Sequence, residues 1–120
     1  MAESIVFNKS KAFAVKIVKL YKWLIEEHRE FVMSKQCLRC GTSIGANLAE
    51  ALRGQSRLDF TSKLQIALKE ANETLYWLEL LKETDYVTAE MFDSLNSDCV
   101  ELVKMLTSII VTTKQNDNKL

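Results

Sequence analysis

Three groups of residues in this 120-residue chain are of types that do chemistry. The first is Cys37-x-x-Cys40, with a third thiol at Cys99. Thiols at this spacing hold zinc or exchange electrons. A zinc site needs four ligands, and no second pair or nearby His completes this one, so Cys99 and His28 would have to come from other elements. A redox pair is expected in a βαβ setting, and none is suggested here. The cysteines therefore read as small buried hydrophobes. The second group is His28, the single histidine. A di-iron bundle needs two Glu-x-x-His pairs, and Ser-His-Asp or Cys-His catalysis needs a His beside its nucleophile. Near a helix C-terminus, His28 reads instead as a cap or dipole partner. The third group is Asn47, Glu50, Glu70 and Glu73. Asn47 and Glu50 are i, i+3, as are Glu70 and Glu73, so each pair shares one helix face. Carboxylates so placed suit acid/base work or a metal. They equally suit a structural network, with Glu50 or Glu73 paired to Arg39 or accepting from Ser43 or Asn47. No GxxxxGK[ST] or GxGxxG run offers a phosphate cradle.

The elements that position these residues are helices. Phe13, Ile17, Leu20 and Leu24 recur at i, i+4, i+7 and i+11 within a first helix over about 8–29, and Val18, Tyr21 and Ile25 widen the stripe. Asn8 is its expected N-cap. A second helix, about 34–53, has Ser34 as expected N-cap and Gly54 as a left-handed terminator. Inside it Gly41, Gly45 and Ala49 are spaced by four, which lets another backbone approach. A third, about 57–83, opens on Ser56-Arg57-Leu58-Asp59, close to a capping box. It carries Phe60, Leu64, Ala67, Ala71, Leu75 and Leu78. A fourth, about 89–114, follows the N-cap Thr88 and sets Phe92, Leu95, Cys99, Leu102, Leu106 and Ile109 in a heptad-like seam. Residues 114–120 form a polar tail expected to fray. The links near 30–33, 54–56 and 84–87 are short, so sequential helices run antiparallel. The expected fold is all-α: one domain over 1–120, an up-down-up-down four-helix bundle.

Composition agrees. Zero Pro and three Gly do not punctuate a turn-rich β fold, and 48% hydrophobic with 27% charged residues is ordinary for a globular domain. An odd number of cysteines is no disulfide framework. No leader or spanning run is visible, and a cytoplasmic location is expected. Net charge is zero, yet residues 1–60 carry ten basic and six acidic side chains while 61–120 carry six and ten. Lys9, Lys11, Lys16, Lys19 and Lys22 stand on the side of the first helix opposite its apolar stripe. They form either a cationic strip for RNA or an acidic partner, or a solvated face. Trp23 becomes an interface candidate if it shares that side.

The run Gln36-Cys37-Leu38-Arg39-Cys40-Gly41-Thr42-Ser43-Ile44-Gly45-Ala46-Asn47-Leu48-Ala49-Glu50 resembles the QxxRAAxSIPANIAEG signature of the four-helix-bundle family named for 23S rRNA intervening sequences. Phe60, the Ile66-Ala67…Glu73 stretch and Asp85-Tyr86-Val87, where the family often has a Gly-Tyr turn, extend the likeness over roughly residues 8–110. The resemblance implies a left-handed antiparallel bundle that assembles into a homo-oligomer, a pentameric ring in relatives. It also implies Arg39, Ser43, Asn47, Glu50 and Glu73 as a fold and assembly set, and no enzymatic activity. Distant relatives serve diversity-generating retroelements and engage a reverse transcriptase and nucleic acid through basic surfaces. Here Gly45 stands for the frequent Pro, Gly41 for Ala, and Ala51 for the Gly that follows the Glu.

The functional expectation is a non-enzymatic, homo-oligomeric interaction module with RNA or an RNA-bound protein as partner. No cofactor, metal, small-molecule substrate or membrane is expected. The rivals are a protein-only partner subunit binding through the acidic third and fourth helices, and a metal-dependent or acid/base enzyme using Glu50, Glu70 and Glu73 with Cys37 and Cys40.

Overall fold

The computed structural model describes residues 2–54 and 56–118. Four helices account for nearly all of them: α1 Ala2–His28, α2 Met33–Arg53, α3 Arg57–Glu83 and α4 Ala89–Asn118. Each packs on two neighbours, α1 on α2 and α4, and α3 on α2 and α4, which closes a bundle about 53 Å long and 22 by 20 Å across. Contacts between helices fix the directions. Gly41 meets Ile17 and Gly45 meets Ser10; Arg39 reaches Glu70 and Glu73 while Glu50 reaches Lys63; Lys9 reaches Glu101 and Lys16 reaches Asp98. In each set, rising numbers on one helix meet falling numbers on the next, so the helices alternate up and down. No helix is long and apolar enough to cross a membrane among the described residues.

The core follows the apolar spacing. Phe13, Ile17, Leu20 and Leu24 are buried on α1, and Ile44 and Leu48 on α2. Leu64, Ala67, Ala71, Leu78 and Leu81 line α3. On α4 the buried set is Leu95, Cys99, Leu102, Leu106 and Ile110, with Ile109 only half-buried. The last step is four, not three, because a straight helix of 3.6 residues per turn drifts off a heptad.

The ends differ from the sequence expectation at several points. α1 starts at Ala2, and Asn8 lies inside the helix, because Val6 is buried and Phe7 packs on the core. Ser34 is not the cap of α2. The Glu30 carboxylate does that work, accepting from the backbone N–H groups of Val32, Met33 and Ser34 at 3.1, 3.0 and 2.7 Å, while the Ser34 hydroxyl donates back to the Glu30 carbonyl at 2.7 Å. Gly54 is extended, at φ −64° and ψ 152°, rather than left-handed. The left-handed residues are Arg29 (φ 51°) and Asp85 (φ 64°), just past α1 and α3. There the N–H of Tyr86 donates to Leu81 O, the six-to-one bond that closes a Schellman turn, while the N–H of Glu30 reaches one residue further back, to Leu24 O. α4 continues through 114–118, and residues 119 and 120 of the expected tail lie outside the described residues, as does Gln55 in the α2–α3 link. Ser56 and Thr88 cap as expected, accepting from Asp59 N–H (3.0 Å) and Met91 N–H (3.1 Å).

Candidate functional site

The polar residues of α2 and α3 meet along one seam. Arg39 sits on the α3 side of α2, and its guanidinium donates to Glu70 Oε2 at 3.0 Å and to Glu73 Oε1 at 2.6 Å. Glu70, in the core-facing row of α3, is only 8% exposed, and Arg39 is the donor that meets its carboxyl. The hydrogen bond from Arg39 outweighs partial burial and holds the Glu73 carboxyl below its usual range. The same bond holds the guanidinium charged more firmly still. The Trp77 indole N–H lies close enough to Glu73 to favour its charged form, yet it is buried and has no hydrogen-bond partner of normal geometry among the described residues. Glu50 pairs instead with Lys63, at 3.2 Å.

Ser43 and Asn47 do not join the carboxylates. The Ser43 hydroxyl donates to Arg39 O (2.6 Å) and the Asn47 amide to Ser43 O (2.8 Å), both within α2. The arrangement matches two carboxylates to one cation and locks helix register. Glu73, held low, is the opposite of a general acid, which needs a raised pKa.

The thiols are interior. Cys37 and Cys40 on α2 and Cys99 on α4 are free and buried. Cys99 donates to Ala71 O at 3.3 Å across the α3–α4 contact, and Cys40 to Cys37 O at 3.6 Å. Burial pushes all three thiols up, Cys99 to about 12. Each stays protonated and weakly nucleophilic at neutral pH. Among the described residues no group of three or more His, Cys, Asp and Glu is placed to hold a metal ion. His28 ends α1 with its ring edge-on to Trp23 and Tyr86, at centroid distances of 4.6 and 5.6 Å.

The five α1 lysines do not share one side opposite the apolar stripe, as the sequence reading expected, but divide into two sets, because positions 9 and 16 fall beside the buried Phe13 and Leu20. Lys9 pairs with Glu101 at 3.1 Å, and Lys16 pairs with Asp98 and donates to Ser94 at 2.8 Å, so α4 neutralises both. Lys11, Lys19 and Lys22 make no ion pair among the described residues. They stand around a groove of about 440 Å³ whose floor is Ala14, Val15 and Val18, with Val15 51% exposed. Lys19 also borders a second groove, about 500 Å³, between α1 and α4 and lined by Leu20, Trp23, Met91 and Leu95. Trp23 is therefore on a lysine-bearing flank, half-buried against the core. The sequence reading missed the valine floor, although the signal was present: 11, 15, 18 and 22 are spaced as one helical stripe. It also missed Glu30 as a cap, since a capping carboxylate upstream of a helix has no fixed spacing to search for.

Comparison with known proteins adds a family. The sequence profile of the family described as "23S rRNA-intervening sequence protein" matches residues 2–108. A crystal structure at 1.70 Å resolution from Bacteroides thetaiotaomicron VPI-5482, described as a protein with unknown function from the S23 ribosomal protein family, superposes with a TM-score of 0.90. That chain is 61% identical, and the match covers 92% of this chain and 98% of that one. No curated protein matches.

Proposed function

The chain belongs to the 23S rRNA-intervening sequence protein family, and from that premise we propose that it is a non-enzymatic, homo-oligomeric interaction module that associates with RNA or with an RNA-bound protein through the outer face of α1. The observation that carries this reading is the set Lys11, Lys19 and Lys22. Among the described residues these three cations have no ion pair, while α4 neutralises Lys9 and Lys16. One copy offers few phosphate contacts, whereas a pentameric ring, the assembly its resemblance implies, repeats the set around its rim. The carboxylates and thiols that an enzyme would need are instead matched to cations or held protonated in the core. Three reduced, buried thiols also suit the cytoplasm.

Fluorescence anisotropy with a structured rRNA fragment across a salt series tests the RNA arm. Three contacts per copy give a log–log slope of about −2 to −3 per bound copy. Lys19→Glu should remove binding, and absence of binding at low salt retires the RNA arm. Sedimentation tests the assembly, and a mass of one chain at micromolar concentration overturns it.

A further inference from the structure

On the α1 face that this reading uses, we infer that the occupant is an acidic amphipathic helix of a partner protein, rather than the nucleic acid itself. Lys11, Val15, Val18 and Lys22 lie at i, i+4, i+7 and i+11, a single stripe that runs along the outside of α1 and away from the core. Val15 is half exposed at the centre, Ala14 and Val18 flank it, and Lys11, Lys19 and Lys22 surround it. An apolar centre inside a charged rim is the anatomy of a protein interface. A phosphate backbone would use the rim and leave the valines wet. Nucleic-acid surfaces that do use apolar contact stack bases on aromatic rings, and this groove has none. The rim carries one sign only, so the complementary helix places acidic residues on both sides of a short apolar row, read at i, i+3 and i+4. The lysines bond nothing else among the described residues, and Val15 faces solvent, so substitutions here report binding and not stability.

The test is an amide chemical-shift titration of the full chain with a designed acidic amphipathic peptide of about 18 residues, Leu and Glu at helical spacing. A scrambled peptide of the same composition is the control. Shifts confined to residues 11–22, with binding weakened about tenfold or more both by Lys19→Glu with Lys22→Glu and by Val15→Asp, support the assignment. Binding lost on charge reversal but unchanged by Val15→Asp overturns it, as does equal binding of the scrambled peptide or a shift map elsewhere. If a single-stranded RNA of roughly 20 nucleotides shifts these amides and the peptide does not, the inference fails while the RNA reading stands. If neither ligand shifts them, both fail. Self-association abolished by Val15→Asp assigns the face to a second copy and likewise overturns the inference.

Discussion

Gly45 faces Ser10 so closely across the α1–α2 contact that a methyl group at Gly45 would lie 3.1 Å from the Ser10 hydroxyl oxygen. One turn away, a methyl at Gly41 would lie 2.9 Å from both Cγ atoms of Ile17. The two glycines cost helix propensity, about 1 kcal/mol each, and in return α1 rests directly on the α2 backbone.

The two positions respond differently to alanine. Ile17 is buried on all sides and has nowhere to go, so Gly41→Ala should cost about 1–2 kcal/mol net, overpacking exceeding the propensity gain. Gly45→Ala meets only one hydroxyl, which donates to Phe7 O at 2.7 Å. Removing that hydroxyl with Ser10→Ala should let Gly45→Ala stabilise the bundle by up to about 1 kcal/mol. Urea melts of the four-member cycle measure the coupling, and strict additivity would show that the contact is not tight.

Glu30 makes stability depend on acid. Burial raises its pKa, but the backbone N–H groups of Ser34, Met33 and Val32 outweigh that and leave it below the ordinary value of 4.5. A depressed carboxyl contributes stability that is full above its unfolded pKa and is lost as pH falls through the folded one. Glu30→Ala should cost about 1–2 kcal/mol at pH 7. The gap between wild type and variant should narrow when melts are repeated near pH 3, and a gap that widens on acidification contradicts the cap.

Arg29 and Asp85 hold left-handed backbone with a side chain attached. Glycine adopts that conformation without the Cβ clash. Arg29→Gly and Asp85→Gly should each stabilise by about 0.5–1 kcal/mol, read as a rise in Tm of a few degrees. The Gly-Tyr turn of the family, Asp85-Tyr86 here, now has a physical reason: position 85 closes α3 in a conformation that glycine takes most readily.

Arg39 holds two carboxylates, one of them nearly buried. Arg39→Gln should destabilise by about 1–2 kcal/mol, because the nearly buried Glu70 carboxyl loses its donor. Adding Glu70→Gln should recover most of the loss. A double variant as weak as the single would place the cost in packing of the Arg39 stem instead.

The thiols offer a check on the core. Cys37, Cys40 and Cys99 should resist an aromatic disulfide reagent at pH 8 in the folded protein and react fully in denaturant. Rapid reaction of any one in the native state would contradict its burial.

Sequence alone determined that there are four helices, their order and most of the core, but not where α1 begins or α4 ends. A period of 3.6 repeated over long segments, with short links and no proline, leaves a chain of this size one way to bury its stripes. Ser56, Thr88 and the small-residue contact at Gly41 and Gly45 were legible for the same reason: each depends on residue type at short spacing or on one facing helix. What only the tertiary structure decided concerns pairs far apart in the chain. Helical spacing sets Lys9 and Lys16 on the stripe of the buried Phe13 and Leu20, away from Lys11 and Lys22, but only the tertiary structure shows that α4 meets this pair with Glu101 and Asp98, 92 and 82 residues later. The choice of Glu70 beside Glu73 as Arg39's second partner, and of Lys63 for Glu50, likewise depends on the rotation of α3 against α2. Helical periodicity fixes which face of each helix turns inward, but the charge left on the outside depends on which helices become neighbours and at what register.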